Sequence, residues 1–410
     1  MLESLHFFNN RLMPEITPAH APFERTLIDA AQWLAAPRVI QLSLVVMTLA
    51  VQRSRSCPVP SFDKEVLHYR GICLAELTAL VADANIVHQA LTLECIQLVM
   101  LADMQVEPLG PWAYHLEATR RLTGLQEGLC GLFQKPALRY LLINFMEIDV
   151  LTSATCSVDA LDADAVDAQK DYHALLVDRE EETITTACFM PLDLFQSMVD
   201  VNRLRLRCSQ CDLSPDESFA IAREFSRIEK AISTLKPSQW ASRILAYGAV
   251  QPQPISTLPS EKDVTAMTTL ALCQQAAAIL YLYLSCSPNP ALDILDNTHR
   301  TLTANLANLL SQASSDTEAP IHAQLYKCAV WPLFVAAYAR VGWDVGGRGD
   351  NDTQDLDRLR TVAKKIQSRP LAVAADVLEK VKFERARRVS VGASWRWDDA
   401  FEGRCSFCVL

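Results

Sequence analysis

Glycine is scarce in this chain: only 12 of 410 residues. The short alternating apolar runs between Gly and Asn turns that announce β-hairpins are missing too, which excludes a sandwich or barrel. One glycine cluster exists, Gly346, Gly347 and Gly349 around Arg348. It lacks the Lys-Ser/Thr of a phosphate loop and the strand that precedes a dinucleotide fold. The Asp350-Asn351-Asp352 that follows lacks the Gly and terminal Glu of a calcium loop. Also missing are a G-x-S-x-G elbow and paired histidines at i and i+4. Positive charge is short as well. Lys and Arg total 38 against 48 Asp and Glu, a formal net charge of −10. That balance argues against a dedicated phosphate-binding surface. The first residues have no basic start, apolar middle and small-residue cleavage site, so no secretory signal is read there. Thirteen cysteines, an odd count without such a signal, are expected to be reduced thiols inside a cell.

What is abundant is leucine and alanine, within a chain that is 50% hydrophobic. Those residues favour helices, and the predicted fold class is all-α, a large multi-helix array. Its centre is Val264–Cys286, VTAMTTLALCQQAAAILYLYLSC. The stretch is apolar on every side, so it spans a membrane or is buried by other helices. Gln274 and Gln275 at its middle are costly in lipid, and no Lys/Arg cluster flanks it closely. It is read as a buried core helix near 264–286.

Other helices follow from periodicity. Leu2, Leu5, Phe8 and Leu12 share a face at the start. Predicted helices cover 23–34, 38–53, 61–80, 86–104, 112–122 and 137–151, then 189–207, 215–232, 304–310, 321–340, 357–367 and 371–388. Pro332 should kink its helix or start it anew. The predicted organisation is an N-terminal helical part at 1–155, an acidic loop at 156–188, a helical pair at 189–250 and a Pro-rich connector at 251–260. A C-terminal helical part at 261–398 and a tail at 399–410 complete it.

Candidate chemistry is thin. Cys208/Cys211 and Cys405/Cys408 are C-x-x-C pairs that together could hold zinc. They lie far apart in sequence without a neighbouring histidine, so ordinary thiols are the reading preferred. The terminal Phe407-Cys408-Val409-Leu410 fails as a prenylation box because Phe407 stands where Cys is needed. No catalytic, cofactor or metal residues are expected. Among the eight histidines, His115 beside Trp112 stands out, expected as a hydrogen-bonded residue at a helix interface or a ligand contact. Basic residues Arg358, Arg360, Lys364, Lys365 and Arg369, then Lys380, Lys382, Arg385, Arg387 and Arg388, interleave with Asp352, Asp355, Asp357, Asp376, Glu379 and Glu384. They read as the solvated faces of two helices rather than as an import signal or nucleic-acid patch.

Several motifs, in order, resemble the fungal-specific transcription factor domain, the regulatory region of fungal binuclear zinc-cluster transcription factors. They are Trp112 with His115 three residues on and a small residue, Ala118, three beyond; a Pro and leucines opening FMPLDLFQ; the buried AAILYLYLSC; WPLFVAAYAR from Trp331; and Trp395 and Trp397 near the end. In that family the domain lies C-terminal to a six-cysteine zinc cluster that reads DNA. No cysteine precedes Cys57 here, so the zinc cluster is not expected in this chain.

The resemblance implies a nuclear, ligand- or partner-sensing domain that regulates transcription. Its partners would be other transcription-factor subunits or co-regulators, a small-molecule effector or a second copy, with no nucleic acid or membrane bound directly. Trp112, His115 and Trp331 are the expected ligand or interface contacts. Two alternatives stay open: a helical-scaffold enzyme acting on an apolar metabolite, and a dimerisation partner of a full-length regulator.

Overall fold

Helices placed by the 3.6-residue period bury one stripe each, and a helix apolar all round must be enclosed. The computed structural model describes residues 2–12, 28–56, 64–83, 90–110, 112–177, 190–210, 213–250, 261–287, 291–315, 327–343, 354–366, 368–390 and 395–401. Among them the chain is all-α, with no strand. It divides into two compact units. The first holds residues 1–18, 23–149 and 367–370; the second holds 19–22, 150–366 and 371–410.

In the first unit, Arg38–Ser56 packs against Lys64–Ala82 and Ala90–Val106, and the last of these packs against Trp112–Leu125. Leu5, Phe8 and Leu12 from the N-terminal turns close over Trp33, Leu44, Val45 and Val51. Leu2, expected on the same face, is 58% exposed. Gln41 ends the short helix Ala30–Ala35 by donating from Nε2 to the carbonyls of Trp33 (3.1 Å) and Ala36 (2.9 Å). A side chain from the next helix thereby satisfies carbonyls that a helix end leaves orphaned.

The second unit is built round Glu261–Cys286, a helix long and apolar enough to cross a membrane, with 72% of its apolar window buried. Five helices enclose it: Leu192–Cys208, Pro215–Thr234, Pro237–Val250, Leu292–Ser315 and Val330–Trp343. Small residues allow the close approach, since Ala266, Ala271, Ala277 and Ala278 are all buried. Gln275 explains why a polar residue sits there: its Nε2 donates to the Ile232 carbonyl at 2.6 Å, in the last turn of Pro215–Thr234. That helix opens on a capping box, in which Ser214 Oγ accepts from Glu217 N (3.2 Å) while the Glu217 carboxylate accepts from Ser214 N (2.9 Å).

Some elements differ from the sequence reading. The acidic stretch expected as a solvated loop contains short helices, Ala163–Ala168 and Tyr172–Val177, that bury Val166, Tyr172 and Leu176. Asp162 caps the first of them, its carboxylate accepting from Asp164 N at 3.0 Å. The helix expected at 304–310 begins much earlier, at Leu292, because its polar Asp293–Thr301 part is solvated on one face while Leu295 and Leu302 are buried. Pro237–Val250 has no counterpart in the reading, and its signal was Pro237 at the first helical position. Pro332 lies in the first turn of Val330–Trp343, where a missing N–H costs little. The first parts of the helices expected at 23–34, 61–80, 86–104 and 321–340 lie outside the described residues, as does the 251–260 connector.

Ala277 is fully buried on the central helix. Ala277→Leu forces extra volume between enclosing helices and is expected to cost about 1–3 kcal/mol. A lower midpoint in urea unfolding, without change of slope, is the measurement that checks it.

Candidate functional site

Two buried polar clusters stand out, one in each unit. In the first unit, Asp103 sits on Ala90–Val106 with its side chain only 3% exposed. A carboxylate so buried needs partners. Arg70, from Lys64–Ala82, forks onto it, with Nε to Oδ1 at 2.7 Å and Nη2 to Oδ2 at 3.2 Å. His115 Nε2 donates to the same Oδ2 at 3.2 Å. Burial pushes the Asp103 carboxyl up, but the hydrogen bonds from His115 and Arg70 outweigh it and hold it below its ordinary value. Glu107 lies 3.6 Å from Arg70.

The turn before Trp112–Leu125 is set by Gly110 N donating to the Glu107 carbonyl at 2.8 Å. A Cβ at Gly110 would meet the Glu107 side chain at 2.6 Å, which favours glycine there. Trp112 is fully buried and donates from Nε1 to the Pro108 carbonyl at 2.8 Å, holding that turn from inside. So Trp112 and His115, chosen together from sequence, share the first turn of one helix. His115 is 17% exposed at its side chain and reaches the rim of the Arg70–Asp103 pair. The crevice beside them, lined by Val46, Arg70, Cys73, Leu74, Val99, Ala102 and Asp103, is too tight for a water molecule.

Trp331 belongs to the second unit. It is 4% exposed, lies edge-on to Tyr281 with ring centroids 5.6 Å apart, and stacks on Phe334 at 6.1 Å. Its indole Nε1 is buried without a hydrogen-bond partner among the described residues. Trp397 completes the group, 4.3 Å from Tyr338 and 5.1 Å from Tyr281 between centroids. Aromatic pairs of this kind contribute about 0.5–1.5 kcal/mol beyond burial.

Sequence reasoning missed the residue at the centre of this unit. Arg205, on Leu192–Cys208, is 1% exposed. Its Nη1 donates to the carbonyls of Ser153 (3.0 Å) and Ala154 (3.4 Å) and to Tyr281 Oη (3.0 Å). Its Nη2 donates to the Cys156 carbonyl and pairs with Asp398 Oδ1 at 3.1 Å. Two of those acceptors, Ser153 O and Ala154 O, are the last carbonyls of Pro136–Ala154, and the third, Cys156 O, lies two residues beyond its end. The guanidinium is thus a helix cap supplied from elsewhere in the chain, placed at the negative end of the helix dipole. Trp397 Nε1 donates to Ala154 O as well, at 2.8 Å. Tyr281 Oη donates a hydrogen bond to Asn202 Oδ1 (2.6 Å), and Asn202 Nδ2 donates to Val150 O (3.1 Å).

Burial acts against the Arg205 charge, but Tyr281 and Asp398 outweigh it and raise its pKa; burial likewise raises the Asp398 carboxyl. The available signal was Asn202 and Arg205, three apart on the stripe that carries Met198 and Val201. Polar side chains on an apolar stripe need buried partners.

Other residues singled out from sequence are accounted for in part. Arg358 pairs with Asp355 at 2.8 Å, Arg387 with Glu384 at 2.6 Å and Arg388 with Asp399 at 2.9 Å. Arg360 pairs with Glu379, and Arg385 Nη1 donates to the Val341 carbonyl at 2.9 Å. These basic residues are paired, as the interleaving of signs anticipates. Cys211, Cys405 and Cys408 lie outside the described residues, as does the 345–352 glycine loop. No cluster of three or more His, Cys, Asp or Glu among the described residues is arranged to hold a metal.

Compared with protein families, the chain matches the fungal specific transcription factor domain over residues 3–407. The chain belongs to this family. Family membership supports a role in the regulation of transcription, and it attaches to both units, since the match runs through each. The ordered motifs around Trp112, the central helix, Trp331 and Trp397 are therefore positions of a transcription factor domain. No match was found among curated proteins or among solved structures.

Truncating a buried, paired cation leaves its acceptors unsatisfied, so Arg205→Ala is expected to destabilise the second unit by about 3–5 kcal/mol. Arg205→Lys keeps the charge but loses the fork and should recover only part of that. Chemical denaturation of the three proteins checks both. For Asp103, a folded pKa below the ordinary 3.8 means its stabilisation is complete above that pH and lost as pH falls through the folded value. Asp103→Asn should cost about 1.5–3 kcal/mol near neutrality, the range for hydrogen bonds to charged groups. It should also flatten the acid limb of a stability-versus-pH curve.

Proposed function

We propose that this chain is the sensing part of a nuclear transcription regulator. It binds a metabolite or a partner protein and restrains or licenses activation through other proteins rather than by reading bases itself. The observation that carries this reading is the family match over residues 3–407. Two features of the chain support the finer points. Its formal net charge is −10, and five arginines of its basic helices, Arg358, Arg360, Arg387, Arg388 and Arg385, are committed to Asp355, Glu379, Glu384, Asp399 and the Val341 carbonyl respectively. A surface so neutralised is poorly suited to releasing counterions from DNA.

His115, with Trp112 behind it, is the contact we assign to the first unit. It couples a partly exposed imidazole to the buried Asp103–Arg70 pair, so a ligand that engages His115 bears on the packing of three helices. Trp331, whose indole N–H is buried and has no partner among the described residues, is the contact we assign to the second. A ligand shifts such an equilibrium only by its differential affinity for two arrangements. The expected effector is a small, largely apolar molecule with a hydrogen-bond donor for His115 Nδ1, since Nε2 is committed to Asp103, or a helix that presents one.

The test joins the full chain to an unrelated DNA-binding domain and measures transcription from a reporter bearing that domain's site. Output is expected to differ several-fold from the DNA-binding domain alone, and His115→Ala should change its response to growth conditions while leaving protein abundance intact. Unchanged output, or tight, salt-sensitive and sequence-selective DNA binding by the chain alone, would contradict the reading.

A further inference from the structure

The turn Trp397–Ala400 brings an indole and a carboxylate, adjacent in the chain, to the middle of the second unit. The Trp397 ring is fully buried among Tyr281, Trp331, Phe334 and Tyr338, with centroids 5.1, 6.4, 6.2 and 4.3 Å away. Its Nε1 donates to the Ala154 carbonyl at 2.8 Å. Asp398 Oδ1 pairs with Arg205 Nη2 at 3.1 Å and accepts from Val158 N at 2.9 Å. All of these receiving groups lie outside the turn. Arg205 and the four rings sit on Leu192–Cys208, Glu261–Cys286 and Val330–Trp343, and the central helix packs on the other two without the turn's help. The turn is thus received as a small molecule is: a planar apolar ring with one N–H, and an acid beside it.

The receiving side is not fully used. Trp331 Nε1 and Arg205 Nε are both buried without a hydrogen-bond partner among the described residues, and buried donors left unmet are costly. Burial raises the Asp398 carboxyl although Arg205 opposes it. At the rim, Arg388 holds Asp399 at 2.9 Å with both side chains partly exposed, a kind of pair that contributes little. A free molecule of the same chemistry, not tied to a main chain, can turn its carboxylate onto the guanidinium fork and offer an acceptor to Trp331. We propose that Arg205, Trp331 and the rings around them form a binding site for a small aromatic carboxylate, occupied by Trp397 and Asp398 as an internal competitor when that ligand is absent. This names the ligand class for the second unit and rests on the sensing role proposed above.

Entry of the ligand displaces the turn, and the turn is tied to other parts of the unit. Tyr338 Oη donates to the Arg396 carbonyl at 3.0 Å and accepts from Trp395 Nε1 at 3.2 Å. Arg388, near the end of Arg369–Ser390, lies over the Trp395 ring at 5.6 Å. Displacement therefore frees the end of that helix, which converts occupancy into a change of surface. A seated competitor also weakens apparent affinity by the fraction of chains in which the site is open.

The probe is indole-3-acetate, with indole as its uncharged control. Calorimetry is run on the full chain, unsubstituted and carrying Trp397→Ala with Asp398→Ala. The acid should bind the variant at least about tenfold more tightly, since the competitor is gone. Indole should bind the variant at least about tenfold more weakly than the acid does, the loss expected of a charge-assisted hydrogen bond. In the unsubstituted chain, millimolar indole-3-acetate should speed amide exchange at Asp399 and Phe401, whose N–H groups donate to the Arg396 and Asp398 carbonyls, and leave Arg38–Ser56 unchanged. Equal binding of indole and the acid, no gain in the variant, or exchange at Asp399 and Phe401 unmoved by the acid would each overturn the proposal. Where the variant does not fold, the exchange measurement on the unsubstituted chain decides alone. A reporter response that persists beside such a failure leaves the sensing role standing and removes only this ligand class.

Discussion

A fully buried guanidinium at the end of another helix is the constraint on which the second unit depends. Desolvating a cation costs several kcal/mol, and only excellent geometry offsets it. Arg205 answers most of that demand with three main-chain carbonyls, a phenol and a carboxylate, while its Nε stays buried without a partner among the described residues. The acceptors come from three separate places in the chain, so pairing the charge locates the end of Pro136–Ala154, the central helix and the 397–400 turn at once. The carbonyls are also the groups that a helix terminus leaves exposed. One side chain thus answers two needs, its own and the helix's.

The central helix shows why such a device is wanted. Being apolar all round, it gains as much by burying one face as another, and hydrophobic burial alone says little about its rotation or its register. Tyr281 and Gln275 remove that ambiguity, because each has one place where its hydrogen bonds can be made. The first unit uses the same approach with smaller stakes. Asp103 draws Arg70 and His115 from two neighbouring helices, and Arg120 draws in the fully buried Asp149. In both units the apolar contacts supply most of the stabilisation and the charges decide which packing is adopted, a division of labour seen in some buried polar networks.

Much of the architecture was legible because helix periodicity and proline are local signals. Val264–Cys286 was recognisable as a core helix from its glutamines, and the Trp112–His115 pairing came from spacing within one turn. The Arg205 cluster was harder to see. Ser153, Arg205, Tyr281 and Asp398 have no mutual spacing in the chain, and an arginine flanked by Arg203 and Arg207 resembles any solvated helix end. The acidic 156–177 stretch misled for a related reason. Its charges suggest solvent on every side, yet a few apolar residues among them, Val166, Tyr172 and Leu176, are enough to anchor two short helices.

The indole of Trp397 hydrogen-bonds a carbonyl 243 residues earlier in the chain. At roughly 5–20 residues per second, a ribosome delivers Ala154 about 12–50 s before it delivers its partner. In the later part of that interval, once Arg205 and Tyr281 have been made, the centre of the second unit has a cation without its carboxylate and a helix end without its full cap. A nascent chain in that state exposes aromatic surface that Trp397 and Phe401 will later cover. Dependence on chaperones during synthesis, concentrated on the second unit, follows from where one tryptophan falls in the order of translation.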